Sequence, residues 1–427
     1  MKEELVEEML KLHLNMDVSL EELSDSQELA IEKFKKGENI LLVSAAGFGK
    51  SHTIKKMKKL TQKNMYLTAT TGVAAYNIGG MTINSFLGIG SGEASAQELY
   101  RKVRMKEEIV SRIVSTDILV IDEISMMSAC VFEKINYLMM TIKKSPKFFG
   151  GIQVIFSGDF MQAMPIFKKQ IDRRLIFESD LLIDNFNIIK LTKNYRQYDD
   201  LEFSQILTRM RMGETTTEDI NTLNKKIGVK CNLLKEPMFL TSTNRKASEI
   251  NAIRMKNIRE EEKIYKMKSS GSKDLKKDLE YQMSIKNMDT LVLKKTARVM
   301  LVKNIDTEIG LVNGAMGIIM EFVQGYPEVK FDNGIIRVIK EENWELNVDG
   351  LKAKVKQLPL MISYACTLHK SQSQTLKNAI LDLGDVFAEH MVYVAFSRVS
   401  SLDGVYINSF NPSKITVSQK CLEFVRT

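Results

Sequence analysis

The octapeptide Ser44-Ala45-Ala46-Gly47-Phe48-Gly49-Lys50-Ser51 lies between an apolar tetrad, Ile40-Leu41-Leu42-Val43, and the run Ser51-His52-Thr53-Ile54-Lys55-Lys56-Met57. A buried strand, a small-residue loop ending in Gly-Lys-Ser, and then a helix is the order a phosphate-binding loop requires. Glycine lets backbone amides close round an anion, since a Cβ would block the approach or forbid the dihedrals. The helix N-terminus adds unpaired N–H groups and about half a positive charge. Ala46, Gly47, Phe48, Gly49, Lys50 and Ser51 are therefore the expected nucleotide cradle. Lys50 would reach the β- and γ-phosphates, and the Ser51 hydroxyl would ligate Mg²⁺. Ser44 stands where the strict pattern begins with glycine. The bland alternative, a chance turn before a basic helix, fits the flanking strand and helix poorly.

A chain of 427 residues exceeds one ordinary core, so more than one domain is expected. The net charge of +8 permits a polyanionic partner without requiring one. Cys130, Cys231, Cys366 and Cys421 are scattered, and the histidines have no ligand spacing, which disfavours zinc sites and a disulfide framework. The acidic start Met1-Lys2-Glu3-Glu4-Leu5-Val6-Glu7-Glu8 resembles neither a secretory signal nor a transit peptide. No apolar run is long enough to span a bilayer, so a soluble intracellular protein without a membrane partner is expected.

Residues 2–13 have the spacing of an amphipathic helix. A second helix begins at Ser24 or Asp25, with Gln27 on its first turn. A Gln amide can pair with the adenine edge, or it can simply be a solvated helix start. After the loop, strand 65–69 runs into Thr70, Thr71 and Gly72, then to Phe86 in a polar turn. Small hydroxyls at a strand end suit a phosphate chain. Phe86 either stacks on an unpaired base or packs beneath the loop. Residues 87–115 are polar and basic, read as a solvated face or as a small insertion near a nucleic-acid fork.

Strand 117–121 ends in Asp122-Glu123, two acids at the mouth of an apolar strand. Such acids are costly unless they hold an ion or a water. Asp122 is placed to fix Mg²⁺, and Glu123 to orient and deprotonate an attacking water. Strand 153–157 leads to Gln162, an amide able to sense a γ-phosphate, and strand 188–191 leads to Arg196. A second αβ unit begins near Leu191 and contains a strand at 238–244 and a helix from about Arg245 to Arg259; residues 260–286 read as a Lys-rich mobile insertion. Residues 297–348 become all-β, with a hairpin signal at 331–335. Arg398 is one cation in an apolar stretch and needs a partner. A γ-phosphate across an interdomain cleft would serve.

These pieces, in this order, resemble the Pif-one and RecD-like helicases of superfamily one, subgroup B, and Pif-one most closely, from Leu23 to about Phe424. The markers are Thr-Ala-Thr-Thr-Gly-Val-Ala-Ala at 68–75, Asp122-Glu123-Ile124-Ser125, Gly158-Asp159-Phe160 with Gln162, and Asn194-Tyr195-Arg196-Gln197. Leu311-Val312-Asn313-Gly314, His369-Lys370-Ser371-Gln372 and Tyr393-Val394-Ala395-Phe396-Ser397-Arg398 complete them.

The resemblance implies an α/β fold with two RecA-like P-loop motor domains, a small wedge insertion and an inserted Src-homology-3-like β-barrel. The implied bounds are an N-terminal helix at 1–22, a first motor domain at 23–190 with its wedge at 87–115, a second at 191–286 and 357–427, and the barrel at 287–356. It implies that Gln27 reads adenine, that Lys50, Ser51, Asp122 and Glu123 bind and hydrolyse Mg·ATP, and that Gln162, Arg196 and Arg398 sense the γ-phosphate. Thr70, Thr71, Phe86, His369 and Lys370 would contact single-stranded DNA. The implied activity is ATP-dependent 5′→3′ unwinding in replication, recombination or repair; the alternative is a DNA-stimulated ATPase that remodels nucleoprotein without separating strands. Implied partners are single-stranded and forked duplex DNA and a single-strand-binding protein. The enzyme would act as a monomer, in the nucleus or at a viral replication site, with the cytoplasm as the alternative. Three positions depart from the family: Ser44 for Gly, which bears on ATP turnover, and Asn84 for His and Ser373 for Gly, which bear on DNA grip.

Overall fold

The computed structural model describes residues 23–90, 92–165, 172–197, 199–230, 237–285, 288–348, 351–368, 371–372 and 374–426. The helix expected before residue 23, together with Cys231, His369, Lys370 and Ser373, lies outside the described residues.

The first half runs α1 (Asp25–Lys35), β1 (Ile40–Val43), α2 (Lys50–Lys59), β2 (Met65–Ala69), α3 (Gly72–Asn77), β3 (Met81–Thr82) and α4 (Ile83–Leu87). It continues with α5 (Ala96–Val103), α6 (Glu107–Ser115), β4 (Ile118–Asp122), α7 (Ala129–Lys143), β5 (Gln153–Gly158), α8 (Asp180–Asn185) and β6 (Asn187–Lys190). Its sheet has the order β3-β2-β4-β5-β1-β6, with every pairing parallel. β1, β4 and β5 are buried along their whole length, which explains why they read as unbroken apolar runs. β1 and β4 flank β5, so the loop after β1 and the Asp122–Glu123 turn after β4 open side by side at the carboxyl edge, where ligands bind in open α/β sheets.

The second half begins with α9 (Leu201–Met212), α10 (Thr217–Asn224), β7 (Met238–Thr241) and α11 (Asn244–Asn257). Next come β8 (Glu262–Lys266), β9 (Lys268–Gly271), α12 (Lys273–Ile285), β10 (Thr290–Lys294), β11 (Arg298–Leu301), β12 (Met316–Val323), β13 (Tyr326–Phe331), β14 (Ile336–Val338), β15 (Glu342–Val348) and β16 (Leu351–Gln357). The chain closes with β17 (Leu360–Ile362), β18 (Ala365–Thr367), β19 (Ala379–Asp382), α13 (Met391–Ser397), β20 (Val405–Ser409) and α14 (Gln419–Arg426). A second parallel sheet has the order β18-β7-β19-β20.

The all-β region that lies between β7 and β18 in the chain differs from expectation. Its strands form a five-stranded sheet, β14-β13-β12-β11-β17, a pair, β10-β8, and a three-stranded sheet, β15-β16-β9. Among the described residues no ring of pairings closes them into a barrel. The stretch read as a mobile insertion carries β8, β9 and α12: β8 pairs with β10 from Glu262 to Lys266, and β9 pairs with β16 from Lys268 to Gly271. The hairpin signal at 331–335 does join two antiparallel strands, β13 and β14.

One continuous apolar core links the two parallel sheets, running from Leu41 and Phe156 through Phe160, Phe203 and Phe396 to Ile407. α14 crosses between them: Phe424 stacks on Phe177 at 4.6 Å and meets Phe160 edge-on at 5.0 Å. The carboxyl ends of β1 and β4 in the first sheet and the amino ends of β7, β18 and β19 in the second border one shared cavity. Among the described residues, no helix is long and apolar enough to cross a membrane.

Candidate nucleotide cleft

Gly47 and Gly49 have φ of +85° and +83°, a region that favours glycine. A Cβ on Gly47 would collide with Arg196, and one on Gly49 would press on Gln27 Nε2 and the Tyr195 ring. The two glycines thus let residues 194–197 lie directly across the phosphate loop, where Tyr195 N–H donates to the Gly47 carbonyl at 2.8 Å. Lys50 opens α2 and folds its Nζ back on the loop, donating to the carbonyls of Ser44 (2.8 Å) and Ala45 (2.9 Å) and to Ser44 Oγ (3.3 Å). Burial pushes the Lys50 pKa down, against the pull of Asp159, Glu123 and Asp122. A desolvated ammonium resting on neutral carbonyls is primed to accept an anion. Ser44, the departure from the glycine pattern, supplies two of these three oxygens, and the hydroxyl is the one a glycine would lack.

Asp122 ends the buried strand β4, and its Oδ1 accepts from Glu123 N–H (2.9 Å) and from the Ser157 hydroxyl of β5. Burial, and then the neighbouring Glu123 charge, push its pKa from 3.8 up to about 6. Glu123 has φ +55°, the left-handed region, which is costly for a residue with a Cβ and recurs at functional sites. That geometry turns its main chain back toward β2: Thr70 Oγ1 donates to the Glu123 carbonyl at 2.9 Å, and Thr70 N–H donates to the Asp122 carbonyl at 3.1 Å. A buried carboxylate whose charge burial disfavours, beside the Ser51 hydroxyl on the wall of the same cavity, suits a hard divalent cation that keeps water and phosphate oxygens as its other ligands. The donor set therefore fits Mg²⁺ carried with a nucleotide.

The Asp122 shift has a stability consequence. Its folded pKa lies above the unfolded value, so the folded state keeps a proton that the unfolded chain loses between pH 3.8 and about 6. Stability falls as pH rises through that window, and the cost is fully present at pH 7. Asp122→Asn should raise the nucleotide-free melting temperature by a few degrees, a gain on the order of 2 kcal/mol. Added Mg·ATP should raise the melting temperature of the wild type and leave that of the variant unchanged; thermal melts with and without Mg·ATP check both.

The second half delivers two arginines to this cleft. Arg398, at the end of α13, is completely buried, and among the described residues its side-chain hydrogen-bond partners are neutral. It donates to Gln162 Oε1 at 2.8 Å, Ser397 Oγ at 3.0 Å and the Val394 carbonyl at 3.1 Å. Arg196 donates to the Ser397 carbonyl at 3.0 Å. Burial, and then the Arg398 charge, push the Arg196 pKa down to about 10. Two desolvated guanidiniums side by side repel one another, and an anion between them would relieve both.

Gln162 is more than a sensor beside Arg398, because its Nε2 also donates to Asp159 Oδ2 at 3.0 Å. Asp159 is fully buried and gathers Arg211 from α9 (2.8 Å) and the Tyr393 hydroxyl from α13 (3.1 Å). Arg211 holds the Asp159 pKa below its ordinary value despite burial. Arg211 carries no signal in the sequence, and Tyr393 and Asp159 stand there only as members of their motifs, without a role. The Gly158-Asp159 motif marks the place, but its partners lie far along the chain.

Gln27 lies against the phosphate loop rather than in solvent. It is buried, its Oε1 accepts from Ser24 N–H (3.0 Å) and the Tyr195 hydroxyl (2.9 Å), and its Nε2 donates to Thr53 Oγ1 (3.1 Å). The amide thus braces α1, α2 and the 194–197 loop.

Of the residues expected on DNA, Thr70 is bonded to Glu123, and Thr71 caps α3 by accepting from Ala74 N–H. His369 and Lys370 lie outside the described residues. Phe86 is the clear correction: it is 0% exposed, with its ring 5.2 Å from that of Tyr66. The α4 turn points it into the core, where base stacking is impossible. Phe86→Ala should cost about 3–5 kcal/mol of stability, read as a lower denaturation midpoint in urea.

Loop residues 46–51, Asp122, Glu123, Gln162, Arg196 and Arg398 line a single cavity of about 1490 Å³ between the halves.

A family model described as PIF1-like helicase matches residues 22–221, and one described as DNA helicase Pif1, 2B domain, matches residues 282–322. The ATP-dependent DNA helicase PIF1 of Danio rerio is 32% identical over 421 residues, covering 95% of this chain and 64% of its own length. The chain thus spans a little under two thirds of that relative. The ATP-dependent DNA helicase Pif1 of Bdellovibrio bacteriovorus is 31% identical over 411 residues, covering 95% of this chain and 92% of that one. The crystal structure of Pif1 helicase from Candida albicans superposes with a TM-score of 0.85 at 29% identity, covering 95% of this chain and 98% of that one. Pif1 from Bacteroides in complex with ADP-AlF3 and single-stranded DNA gives 0.82 at 26% identity, covering 95% and 97%. With its fold, its cleft and relatives matching along nearly its whole length, the chain belongs to the PIF1-like helicase family.

Proposed function

We propose that the chain is an ATP-dependent DNA helicase that moves 5′→3′ along single-stranded DNA and opens forked duplexes in replication, recombination or repair. The carrying observation is the opposition of charges across one cavity: Lys50, Asp122 and Glu123 from the first half face Arg196 and Arg398 from the second. A triphosphate seated there is gripped from both sides only when the halves are together. Lys50 leaves the Ser44 and Ala45 carbonyls for the phosphates. Glu123 takes the proton of the attacking water as its oxygen bonds to the γ-phosphorus and the bond to the ADP oxygen breaks. Arg196 and Arg398 meet the charge that develops on the γ-phosphate oxygens. Mg²⁺, held by Ser51 and Asp122, would supply further positive charge to the phosphates when bound.

In this reading residues 23–190 form one motor domain, and 191–286 with 357–427 form the other. Residues 87–115 act as the wedge, and 287–356 form the Src-homology-3-like module. Loss of the γ-phosphate releases the arginines and lets the halves part. Each closure shifts the grip on one strand, and stacking of about 1.4 kcal/mol per base-pair step is within reach of one nucleotide cycle. Thr70 and Thr71, with His369 and Lys370, hold the strand. The protein acts inside the cell as a monomer, with a single-strand-binding protein as a partner.

Forked duplexes with either a 5′ or a 3′ single-stranded tail test the proposal. ATP-dependent strand separation on the 5′-tailed substrate alone is expected. ATP turnover without separation on either fork would make the protein a translocase that remodels nucleoprotein instead.

A further inference from the structure

The His369-Lys370-Ser371-Gln372 run leaves one side chain without a role. Gln372 is 3% exposed, and its Nε2 donates to Glu123 Oε2 at 3.4 Å, a bond between the two halves. Its Oε1 has no hydrogen-bond partner among the described residues. The turn that carries it is fixed at both ends. Ser371 Oγ donates to the Leu368 carbonyl at 2.8 Å, and Leu376 N–H donates to the Arg398 carbonyl at 2.8 Å. The same short segment therefore presents Gln372 to the proposed base and braces the main chain of Arg398. Glu123 is then held twice: its carbonyl by Thr70 of the first half, and its carboxylate by Gln372 of the second.

The chemistry of an amide suits this place. A carboxylate acting as a base must be aimed without losing its charge or its basicity. A lysine or arginine would aim it but stabilise the anion strongly. A neutral amide donor fixes one oxygen without adding a charge to the site.

We infer that Gln372 is a positioning residue that aligns Glu123 for hydrolysis only when the two halves are closed. The inference rests on the reading of the cleft as an ATPase. It ties the base to the segment that follows Lys370 by two residues, and so makes closure on DNA a condition for turnover.

The test uses the full chain with ATP and oligo-dT, comparing wild type, Gln372→Ala, the similarly sized Gln372→Met, Glu123→Gln and the double variant Gln372→Ala/Glu123→Gln. Melting curves show which variants are folded. Gln372→Ala and Gln372→Met should each lower kcat by about 100-fold, the cost of a misplaced reacting group. The KM for ATP and the Kd for oligo-dT should stay within about twofold. Because Gln372 acts through Glu123, the double variant should turn over no more slowly than Glu123→Gln alone. An unchanged kcat in folded Gln372→Met overturns the inference. So does a loss confined to oligo-dT affinity, or a double variant whose losses multiply. A wild type that does not hydrolyse ATP overturns the underlying reading as well, which separates the two failures.

Discussion

Arg398→Ala lowers DNA-stimulated ATP turnover by about 10³–10⁵-fold, the range an arginine aimed at a transferring phosphoryl group commands. The size follows from the burial of Arg398 and from the neutrality of its hydrogen-bond partners among the described residues. A guanidinium held in that state gains most when the γ-phosphate charge develops, and a water entering the space left by alanine cannot replace it. Arg398→Lys should recover little. A lysine lacks the fork that bonds Gln162, Ser397 and Val394 together, so it cannot be held at the same angle. Single-turnover hydrolysis with the variant saturated in ATP checks this, and a loss under tenfold would show that Arg398 only supports α13.

The second large effect belongs to Glu123→Gln. The substitution keeps the shape, the Thr70 bond to the main-chain carbonyl and the left-handed backbone, and removes only the ability to take a proton. ATP turnover and strand separation should fall by about 10²–10⁴-fold while Mg·ATP still binds and stabilises the fold. Lys50→Ala should differ in kind. It removes the charge that greets the phosphates, so ATP affinity falls together with turnover. Comparing KM and kcat in the two variants separates the base from the anchor. Normal unwinding by either would contradict the roles assigned here.

The parts of this machine legible in the sequence are those whose signals are local. β1, the phosphate loop and α2 follow one another within a few residues, and the apolar tetrad 40–43 is a buried central strand. Asp122 and Glu123 were readable for the same reason: β4 is buried from Ile118 to Asp122, so its end is the mouth of the sheet. The hairpin at 331–335 was legible from turn chemistry alone.

What escaped reading depends on distant pairing. β9 is the polar Lys268-Ser269-Ser270-Gly271, and only its partner β16 makes it a strand, so the stretch looked like an insertion without structure. The expected barrel turns on a similar point: pairing among strands from 262 to 362 decides between a closed ring and separate sheets, and among the described residues these strands pair as separate sheets. Phe86 and Gln27 sat at places where exposure and burial are equally compatible with the local pattern. Packing on Tyr66 decided the first, and hydrogen bonds to Ser24, Thr53 and Tyr195 decided the second. Asp159 joins Gln162 to Arg211 and Tyr393, three residues with no mutual signal in sequence. Gln372 belongs with these. Its motif is visible, but its partner Glu123 comes from the other half of the molecule.

Steady-state ATP hydrolysis by the purified wild-type chain, measured with and without oligo-dT, tests most directly whether the two halves close on a triphosphate as they grip a strand. Turnover that rises at least about tenfold on adding DNA is the predicted result, equivalent to about 1.4 kcal/mol of coupling between the sites. Hydrolysis at the same rate in both conditions, or none in either, would contradict it.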